Sequence, residues 1–307
     1  SNRGLMLGDL PLAPISPRGD DDPAWLFYTS GTTGRPKGVV LCPRQLRWCS
    51  LAYLASVQPV SPGDSMLHPA PMSHGGGLYH LPYVLQAGMN VVPRSDGFDA
   101  VECLDLAAHW NRASFFAAPT MVRRLVEVAR TREQPAKGIE TIVYGGGPMY
   151  LADIEAAVEV IGPHFAQIYG QGECPMSISV LQRCLIADHT HPQWRDRLRS
   201  VGTAQSMVEV AVCDDDGCPL PAGASGEICV RGDVVMAGYW NDPEATARAI
   251  RGGWLATGDV GCLDGHGFLY LLDRSKDLVI SGGTNIYPRE VEEVLLRAPG
   301  VAEASVV

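Results

Sequence analysis

The stretch from Thr29 to Gly38 concentrates groups that bind phosphate. It holds three glycines, four hydroxyl side chains and one lysine between two apolar runs. Glycines let backbone N–H groups turn toward an anion, hydroxyls add donors, and a lysine adds a positive charge. We therefore predict a phosphate-binding loop formed by Thr29, Ser30, Gly31, Thr32, Thr33, Gly34 and Lys37. Gly38 stands where a Walker loop has Ser or Thr after its lysine, so this is a different kind of phosphate loop.

The same stretch carries a family resemblance. The adenylate-forming enzymes, which include acyl-CoA synthetases, luciferases and nonribosomal adenylation domains, have a signature loop that resembles Ser30-Gly31-Thr32-Thr33-Gly34-Arg35-Pro36-Lys37-Gly38. Further motifs follow in the family's order, so that the resemblance covers the chain from Trp25 to Val307. It implies an enzyme most like an acyl-CoA synthetase, with Lys37 as a catalytic residue and with ATP, Mg²⁺ and CoA as cofactors.

A second motif follows a later apolar run. The family's Tyr-Gly-x-Thr-Glu motif is similar to Tyr169-Gly170-Gln171-Gly172-Glu173. The resemblance implies that this stretch binds the nucleotide, that the ring of Tyr169 stacks on adenine, and that Glu173 is a catalytic residue and the Mg²⁺ ligand. Gly172 replaces the usual threonine, so one hydroxyl donor is either missing or supplied by another residue such as Thr32 or Thr33, and we expect a weakened site.

Three further stretches complete the predicted nucleotide site. The turn Gly145-Gly146-Gly147 follows an apolar run, and the resemblance places it against the adenine and the acyl pocket. Asp259 in Thr257-Gly258-Asp259 is expected to accept hydrogen bonds from the ribose hydroxyls, and Arg274 to contact the ribose or the α-phosphate. Asp273 matches the family's hinge, about which a small C-terminal domain rotates.

The acyl pocket is predicted beside His74, in Ser73-His74-Gly75-Gly76-Gly77. Amino-acid-activating relatives carry an aspartate near this place to pair with the substrate ammonium, and this stretch has none. The resemblance therefore favours a fatty or aromatic acid over an α-amino acid. A purely structural role for His74 remains an alternative.

The elements that position these residues can be read from hydrophobic periodicity. Short apolar strands alternate with helices near residues 99–111, 120–131 and 150–160, which predicts parallel strand pairing with ligands at the strands' carboxyl ends. Residues 24–28 and 39–41 are predicted to be buried strands on either side of the phosphate loop. After about residue 200 the pattern changes to alternation between turns, which predicts an antiparallel or β-barrel-like subdomain.

We predict an α/β fold with mixed and parallel sheets flanked by helices. Residues 1–272 are expected to form a large AMP-binding domain, of which 200–272 are the β subdomain, and residues 273–307 the hinge and the start of a small α+β C-terminal domain. Family members usually have a further N-terminal segment and a longer C-terminal domain that ends in a catalytic lysine. The sequence is therefore expected to be truncated at both ends and to bind ATP while adenylating poorly.

Composition excludes several classes of protein. The 24 basic and 34 acidic residues give a net charge of −10, which argues against a nucleic-acid-binding surface. Nine scattered cysteines without a CxxC pair indicate reduced thiols in a cytoplasmic protein. No apolar run reaches membrane-spanning length, and no signal peptide opens the chain, so no integral membrane contact is predicted.

The sequence predicts ATP-dependent activation of a carboxylic acid, followed by transfer to CoA. Two alternatives remain open at this point. The acyl group could pass to a carrier-protein thiol, or the chain could bind a nucleotide or acyl-adenylate without turnover. The sequence predicts no oligomeric state and does not identify the acid.

Overall fold

The computed structural model describes residues 14, 16–29, 36–95, 97–274, 279–281, 284–286, 288–296, 298, 300, 301, 304 and 306. The phosphate loop from Ser30 to Arg35 therefore lies outside the described residues. Four sheets, with three, five, two and seven strands, organise the described chain.

The largest sheet is mixed and carries the strand ends that concern the site. Its seven strands have the order β4-β3-β5-β6-β7-β8-β9. Their bounds are β3 Ser65–Leu67, β4 Met89–Val91, β5 Ala113–Ala117, β6 Ile139–Tyr144, β7 Phe165–Tyr169, β8 Ser179–Leu181 and β9 Thr203–Ala204. Strands β4, β3, β5, β6 and β7 pair in parallel, while β8 and β9 are antiparallel. The predicted parallel pairing is confirmed.

Helices cover this sheet because their apolar faces need a partner surface. The helices are α1 Pro43–Ala52, α2 His80–Leu85, α3 Ala100–Trp110, α4 Pro119–Ala129, α5 Leu151–Ile161, α6 Arg183–Ala187, α7 Trp194–Arg199, α8 Pro243–Ala249 and α9 Pro288–Leu295. A π-helical turn, Tyr53–Val57, follows α1, and a 3₁₀ helix, Gly75–Tyr79, precedes α2. On α5, Ile154 and Ala157 are fully buried in the core that α3 and α4 share with the sheet, as their spacing predicts.

A small antiparallel sheet carries both ends of the phosphate loop. It consists of β1 Trp25–Thr29, β2 Lys37–Leu41 and β12 Gly238–Tyr239, with β2 in the middle. The prediction of a buried strand on the amino side of the loop is wrong for one face, since Leu26 is 37% and Tyr28 63% exposed. An antiparallel sheet can bury one face and expose the other, whereas an apolar sequence alone does not reveal which residues face solvent.

The predicted β subdomain is a five-stranded antiparallel sheet. Its strands are β10 Glu209–Cys213, β11 Ser225–Arg231, β13 Ile250–Arg251, β14 Trp254–Leu263 and β15 Leu269–Arg274. The chain then forms the hairpin of β16 Val279–Ser281 and β17 Thr284–Ile286. The inner face of this subdomain shares a hydrophobic core with the small sheet, including Val39, Ile228 and Leu255.

The predicted domain division falls within an element. Strand β15 continues through Asp273 to Arg274, and helix α9 contacts the preceding part through a hydrogen bond from the Tyr150 hydroxyl to Glu292 at 3.2 Å. The division at residue 272 stays a prediction. Within the described ranges, no helix combines the length and the apolar character needed to cross a bilayer.

Candidate active site

Thr29 and Lys37 mark the two ends of the phosphate loop. They are cross-strand partners at the ends of β1 and β2, so the loop closes an antiparallel hairpin. The side chains of both residues are partly buried. The predictions for Ser30, Gly31, Thr32, Thr33 and Gly34 fall outside the described residues, so the structure locates this loop by its ends.

Lys37 and Glu173 meet at one tyrosine. The Lys37 ammonium lies 4.9 Å from the ring centroid of Tyr239, and the Tyr239 hydroxyl donates a hydrogen bond to Oε1 of Glu173 at 2.7 Å. Burial, followed by the hydrogen bond to Glu173, raises the pKa of Tyr239 well above its usual range, so the phenol stays protonated and donates. In the described part of the chain, no carboxylate pairs with the Lys37 ammonium. A lysine without a carboxylate partner can direct its ammonium group to a phosphate.

The second motif and the Thr-Gly-Asp stretch form one hydrogen-bonded cluster. Oδ2 of Asp259 accepts from the Tyr169 hydroxyl at 2.7 Å and from Nε2 of Gln171 at 2.7 Å. The Gln171 amide also donates to the carbonyl of Thr257 at 2.9 Å. Asp259 is only 9% exposed. Burial, and then the negative charge of Asp259, raise the pKa of Tyr169 well above its usual range, which keeps this phenol a donor.

Arg274 lies beside Asp259 on the neighbouring strand. The two residues are cross-strand partners in β14 and β15, although only the backbone of Arg274 is described. Gly258 has a φ of +74°, and its N–H donates to Oε1 of Glu227 at 3.0 Å. The register between β11 and β14 shifts at this place, which marks a β-bulge. The bulge sets the direction in which the side chain of Asp259 projects from β14.

Gly172 has a steric reason to be glycine. A Cβ atom added there would lie 2.5 Å from Cγ2 of Thr29 and 2.9 Å from Cδ1 of Phe27. Contacts this short would force a neighbouring side chain to move, so the second motif packs directly on β1. The space that a larger residue would need is filled by the methyl group of Thr29.

The three consecutive glycines follow β6 at the carboxyl edge of the parallel sheet, as predicted. A Cβ on Gly145 would lie 2.4 Å from the carbonyl oxygen of Ile168, and Gly146 has a φ of +77°. The ring of Phe116 comes within 3.6 Å of the Cβ position on Gly146. The glycines therefore allow a close approach between β6, β7 and the ring of Phe116.

His74 is exposed and precedes the 3₁₀ helix. Its Nδ1 lies 3.1 Å from Oγ of Ser73. The two glycines that follow are close-packed: a Cβ on Gly75 would lie 2.8 Å from Sδ of Met176, and one on Gly76 would lie 3.0 Å from Cδ1 of Phe116. The predicted acyl-pocket loop and the glycine turn thus border the same phenylalanine.

Met176 joins this region to the second motif. Its backbone N lies 2.5 Å from the Cβ position on Gly170, and its φ of +60° is uncommon for a side chain of this size. Strained backbone of this kind persists only where surrounding contacts hold it in place. Thr29 at Gly172, Met176 at Gly170 and Gly75, and Phe116 at Gly76 and Gly146 link the segments of the site to one another.

Comparison with known proteins decides the family. The family model described as "AMP-binding enzyme" matches residues 6–240. The chain belongs to the AMP-binding enzyme family. The recognised resemblance and the α/β fold are thereby confirmed.

Relatives of this AMP-binding enzyme are matched along nearly the whole of its sequence. FadD8, a medium/long-chain fatty-acid–CoA ligase of Mycobacterium tuberculosis, is 35% identical over 99% of this chain and 50% of its own length. A feruloyl-CoA synthase of Amycolatopsis is 36% identical over 96% of this chain and 58% of its own length. The O-succinylbenzoate coenzyme A synthetase MenE of Bacillus subtilis, solved in complex with AMP, is similar with a TM-score of 0.82 at 34% identity, over 94% of this chain and 57% of that one. The chain thus spans about half the length of the curated relatives it matches.

Sequence reasoning about this AMP-binding enzyme missed two residues of the site, Tyr239 and Met176. Tyr239 follows Gly238 in a short strand, and a tyrosine between a glycine and the turn-forming Asn241-Asp242-Pro243 could have signalled an ordered ring. Nothing local to Tyr239 relates it to Lys37 or Glu173. The nucleotide-binding roles predicted for the site residues, including stacking by the ring of Tyr169, stay predictions.

Proposed function

We propose that the protein activates a carboxylic acid with ATP and transfers the acyl group to CoA. A carboxylate oxygen of the acid attacks the α-phosphorus of ATP, the bond to the β-phosphate oxygen breaks, and pyrophosphate leaves. The CoA thiolate then attacks the acyl carbonyl carbon, and AMP leaves with the electron pair of the broken C–O bond. The observation that carries this proposal is the meeting of Lys37 and Glu173 at Tyr239, beside the ends of the phosphate loop.

Lys37 is proposed to stabilise the phosphate charge that shifts as pyrophosphate leaves. A lysine is a compact point charge that follows a phosphate oxygen as it moves, and Lys37 stands at the mouth of the hairpin loop. We assign Thr29 and the loop residues 30–34 to the same phosphates, because their hydroxyl and backbone N–H groups are donors.

The residues present fit a magnesium ion that is shared with a phosphate. One oxygen of Glu173 is held by Tyr239, and its Oε2 accepts no hydrogen bond from any residue that the structure describes. Magnesium in phosphate-transferring sites is commonly held by one or two carboxylates together with substrate phosphates. No cluster of three metal-binding side chains exists within the described ranges, and substrate phosphates and water would complete the ion's ligands. When bound, the ion would neutralise triphosphate charge.

The nucleoside is proposed to lie along the cluster of Asp259. Its carboxylate is oriented by Tyr169 and Gln171, which suits it to accept the ribose hydroxyls as carboxylates do in other nucleotide sites. Arg274, across the strand pair, would contact the ribose or the α-phosphate. Tyr169 is 7% exposed, so any stacking on adenine would use the small part of its ring that reaches the surface.

The acid is proposed to be fatty or aromatic and to lie beside His74, Phe116 and Met176. The side chains of Phe116 and Met176 and the glycine turns offer an apolar surface with close backbone approach. The fatty-acid and feruloyl substrates in the names of the relatives support this choice. A cytoplasmic location within fatty-acid metabolism is part of the proposal, supported by nine cysteines that are all free thiols.

Equilibrium binding of ATP tests the nucleotide site independently of turnover. We expect Lys37→Met to weaken ATP binding at least about tenfold, because a charge-assisted contact contributes about 1.5–3 kcal/mol. Lys137→Met is the matched control, since Lys137 is an exposed lysine on the loop before β6. Equal ATP affinities of the two variants would overturn the assignment of Lys37.

Acyl-CoA formation by the full-length protein tests the chemistry. The protein is tested with a panel of fatty, aromatic and small dicarboxylic acids. With at least one fatty or aromatic acid, we expect it to release pyrophosphate and to form the CoA thioester of that acid. ATP binding without pyrophosphate release from any acid would overturn the ligase assignment. Transfer to a carrier-protein thiol but not to CoA would overturn the proposed acceptor.

A further inference from the structure

Tyr239 is anchored on both sides of its backbone. It is the cross-strand partner of Val39 in β2, and its N–H donates to Oγ1 of Thr246 in α8 at 2.9 Å. The preceding Gly238 packs so tightly on α8 that an added Cβ would lie 2.9 Å from Cγ2 of Thr246. A side chain that leaves so constrained a backbone can hold its neighbours in a defined place.

The segment that carries Tyr239 also holds the backbone of Glu173. The N–H of Met236 donates to the carbonyl oxygen of Glu173 at 2.8 Å. Together with the hydrogen bond from the Tyr239 hydroxyl to Oε1, this holds Glu173 at both its backbone and its side chain. Carboxylates that bind metals are commonly oriented by such outer hydrogen bonds.

The ring of the same tyrosine faces the lysine. At 4.9 Å from the ring centroid, the Lys37 ammonium is within the range of a cation–π contact. Lysine has a flexible four-carbon stem, so a fixed partner restricts where its charge lies. The ring of Tyr239 therefore contacts the Lys37 ammonium, and its hydroxyl contacts the Glu173 carboxylate. These are the two charges of opposite sign that the proposed reaction needs.

We propose that Tyr239 is a positioning residue that sets Lys37 and Glu173 for magnesium-bound ATP, the hydroxyl orienting the carboxylate and the ring orienting the ammonium. The inference rests on the proposed function and adds two separate roles for the hydroxyl and the ring of one side chain. The hydroxyl affects ATP binding only when the ion is present, whereas the ring affects it through Lys37 with or without the ion.

Two substitutions distinguish the effect of the Tyr239 ring from the effect of its hydroxyl. Tyr239→Phe keeps the ring beside Lys37 and removes the donor to Glu173, while Tyr239→Leu removes both. Tyr270→Phe is the matched control, because the Tyr270 hydroxyl also lies on a carboxylate oxygen, that of Asp264 at 3.5 Å, away from the site. The dissociation constant of ATP is measured for each by calorimetry, with and without MgCl₂, beside the thermal unfolding midpoint.

We expect Tyr239→Phe to weaken ATP binding about tenfold to a hundredfold with magnesium and less than about twofold without it, the range typical of lost outer hydrogen bonds at metal sites. Tyr239→Leu should weaken binding in both conditions, and Tyr270→Phe in neither. Equal binding of Tyr239→Phe and the unchanged protein in magnesium would overturn the inference, even if Tyr239→Leu fails to fold. Failure of the unchanged protein to bind ATP would instead overturn the proposed function.

A double variant tests whether the hydroxyl acts through Glu173. If it does, adding Tyr239→Phe to Glu173→Gln should change the affinity for magnesium-bound ATP less than about twofold beyond Glu173→Gln alone. Full additivity of the two effects would show that the hydroxyl acts elsewhere and would overturn this role.

Discussion

At the scale of single residues, Gly172 determines how two distant segments meet. Its resemblance to the adenylate-forming family led us to expect threonine at this position, and the chain has glycine. The structure gives the departure a physical reason, since Thr29 and Phe27 occupy the space that a Cβ would need. The close contact lets the second motif support the strand that leads into the phosphate loop.

Substitution of Gly172 should therefore disturb nucleotide binding through Thr29. We expect Gly172→Ala to lower the free energy of unfolding by about 1–3 kcal/mol, the usual cost of overpacking. Because Thr29 is the cross-strand partner of Lys37, we also expect weaker ATP binding. Urea unfolding and calorimetry measure the two effects. Gly265→Ala serves as the control, since nothing lies within 4 Å of its Cβ position, and an unchanged ATP affinity in Gly172→Ala would contradict the prediction.

At the scale of elements, strand β14 links two predicted site residues that are 15 positions apart in sequence. It pairs with β11 on one side and with β13 and β15 on the other, which places Asp259 across from Arg274. The bulge at Gly258 needs a positive φ, and its Cβ position is open, so only the backbone conformation requires glycine there. The orientation of Asp259 therefore depends on one left-handed residue inside a strand.

Gly258→Ala should cost about 1–2 kcal/mol of stability, the penalty of a left-handed conformation for a residue with a Cβ. We expect it also to weaken ATP binding, because relaxation of the bulge moves Asp259. Gly252→Ala is the matched control: Gly252, in the turn between β13 and β14, also has a positive φ of +56° and open space around its Cβ position. It should lose similar stability and keep its ATP affinity. Equal ATP affinities of the two variants would argue against the bulge as the positioning device.

At the scale of the whole molecule, the two edges of the large sheet have different roles. The carboxyl edge carries the glycine turn and the second motif, whereas the amino edge carries a charge network. Arg112 donates to Asp64 through Nε at 2.5 Å and through Nη2 at 3.1 Å, and Glu140 pairs with both Arg112 and Arg183. The Asp64 side chain is only 2% exposed. This network stabilises the edge that binds no ligand in the proposed function.

The network predicts a dependence of stability on pH. Burial raises the pKa of Asp64. The hydrogen bonds from Arg112 and from the Ser61 N–H, together with the charge of Arg112, lower it by more than burial raises it, so the net pKa lies below its usual value. A lowered folded-state pKa means that the contribution is complete above the unfolded value, about 3.9, and is lost as the pH falls through the folded value.

Asp64→Asn should therefore destabilise the protein by about 1–2 kcal/mol at pH 7 and by progressively less below pH of about 4, as measured by urea unfolding across the range. The effect is small because Arg112 is half exposed, so solvent screens its charge. Asp105→Asn, which breaks the pair between the exposed Asp105 and the partly buried Arg132, should change stability by less than about 0.5 kcal/mol at any pH. A constant difference between Asp64→Asn and the unchanged protein from pH 7 to pH 3 would contradict this assignment.

The sequence by itself determined the parts of the protein that depend on local patterns. Hydrophobic periodicity predicted the alternation of β3 to β7 with their helices, since each element repeats its own spacing over several residues. Clusters of glycine, hydroxyl and charged residues marked the loops that follow strands. These short-range signals were sufficient for the α/β fold class and for the prediction of phosphate binding at the candidate site.

Only the tertiary structure decided which of these residues meet. It showed that β1 exposes Leu26 and Tyr28, that Asp259 is held by Tyr169 and Gln171, and that Tyr239 contacts both Lys37 and Glu173. These contacts join residues 66 to 202 positions apart in sequence. No periodicity spans such distances, because the contacts arise from how the sheets pack on each other and from the close approach that glycines such as Gly172 permit.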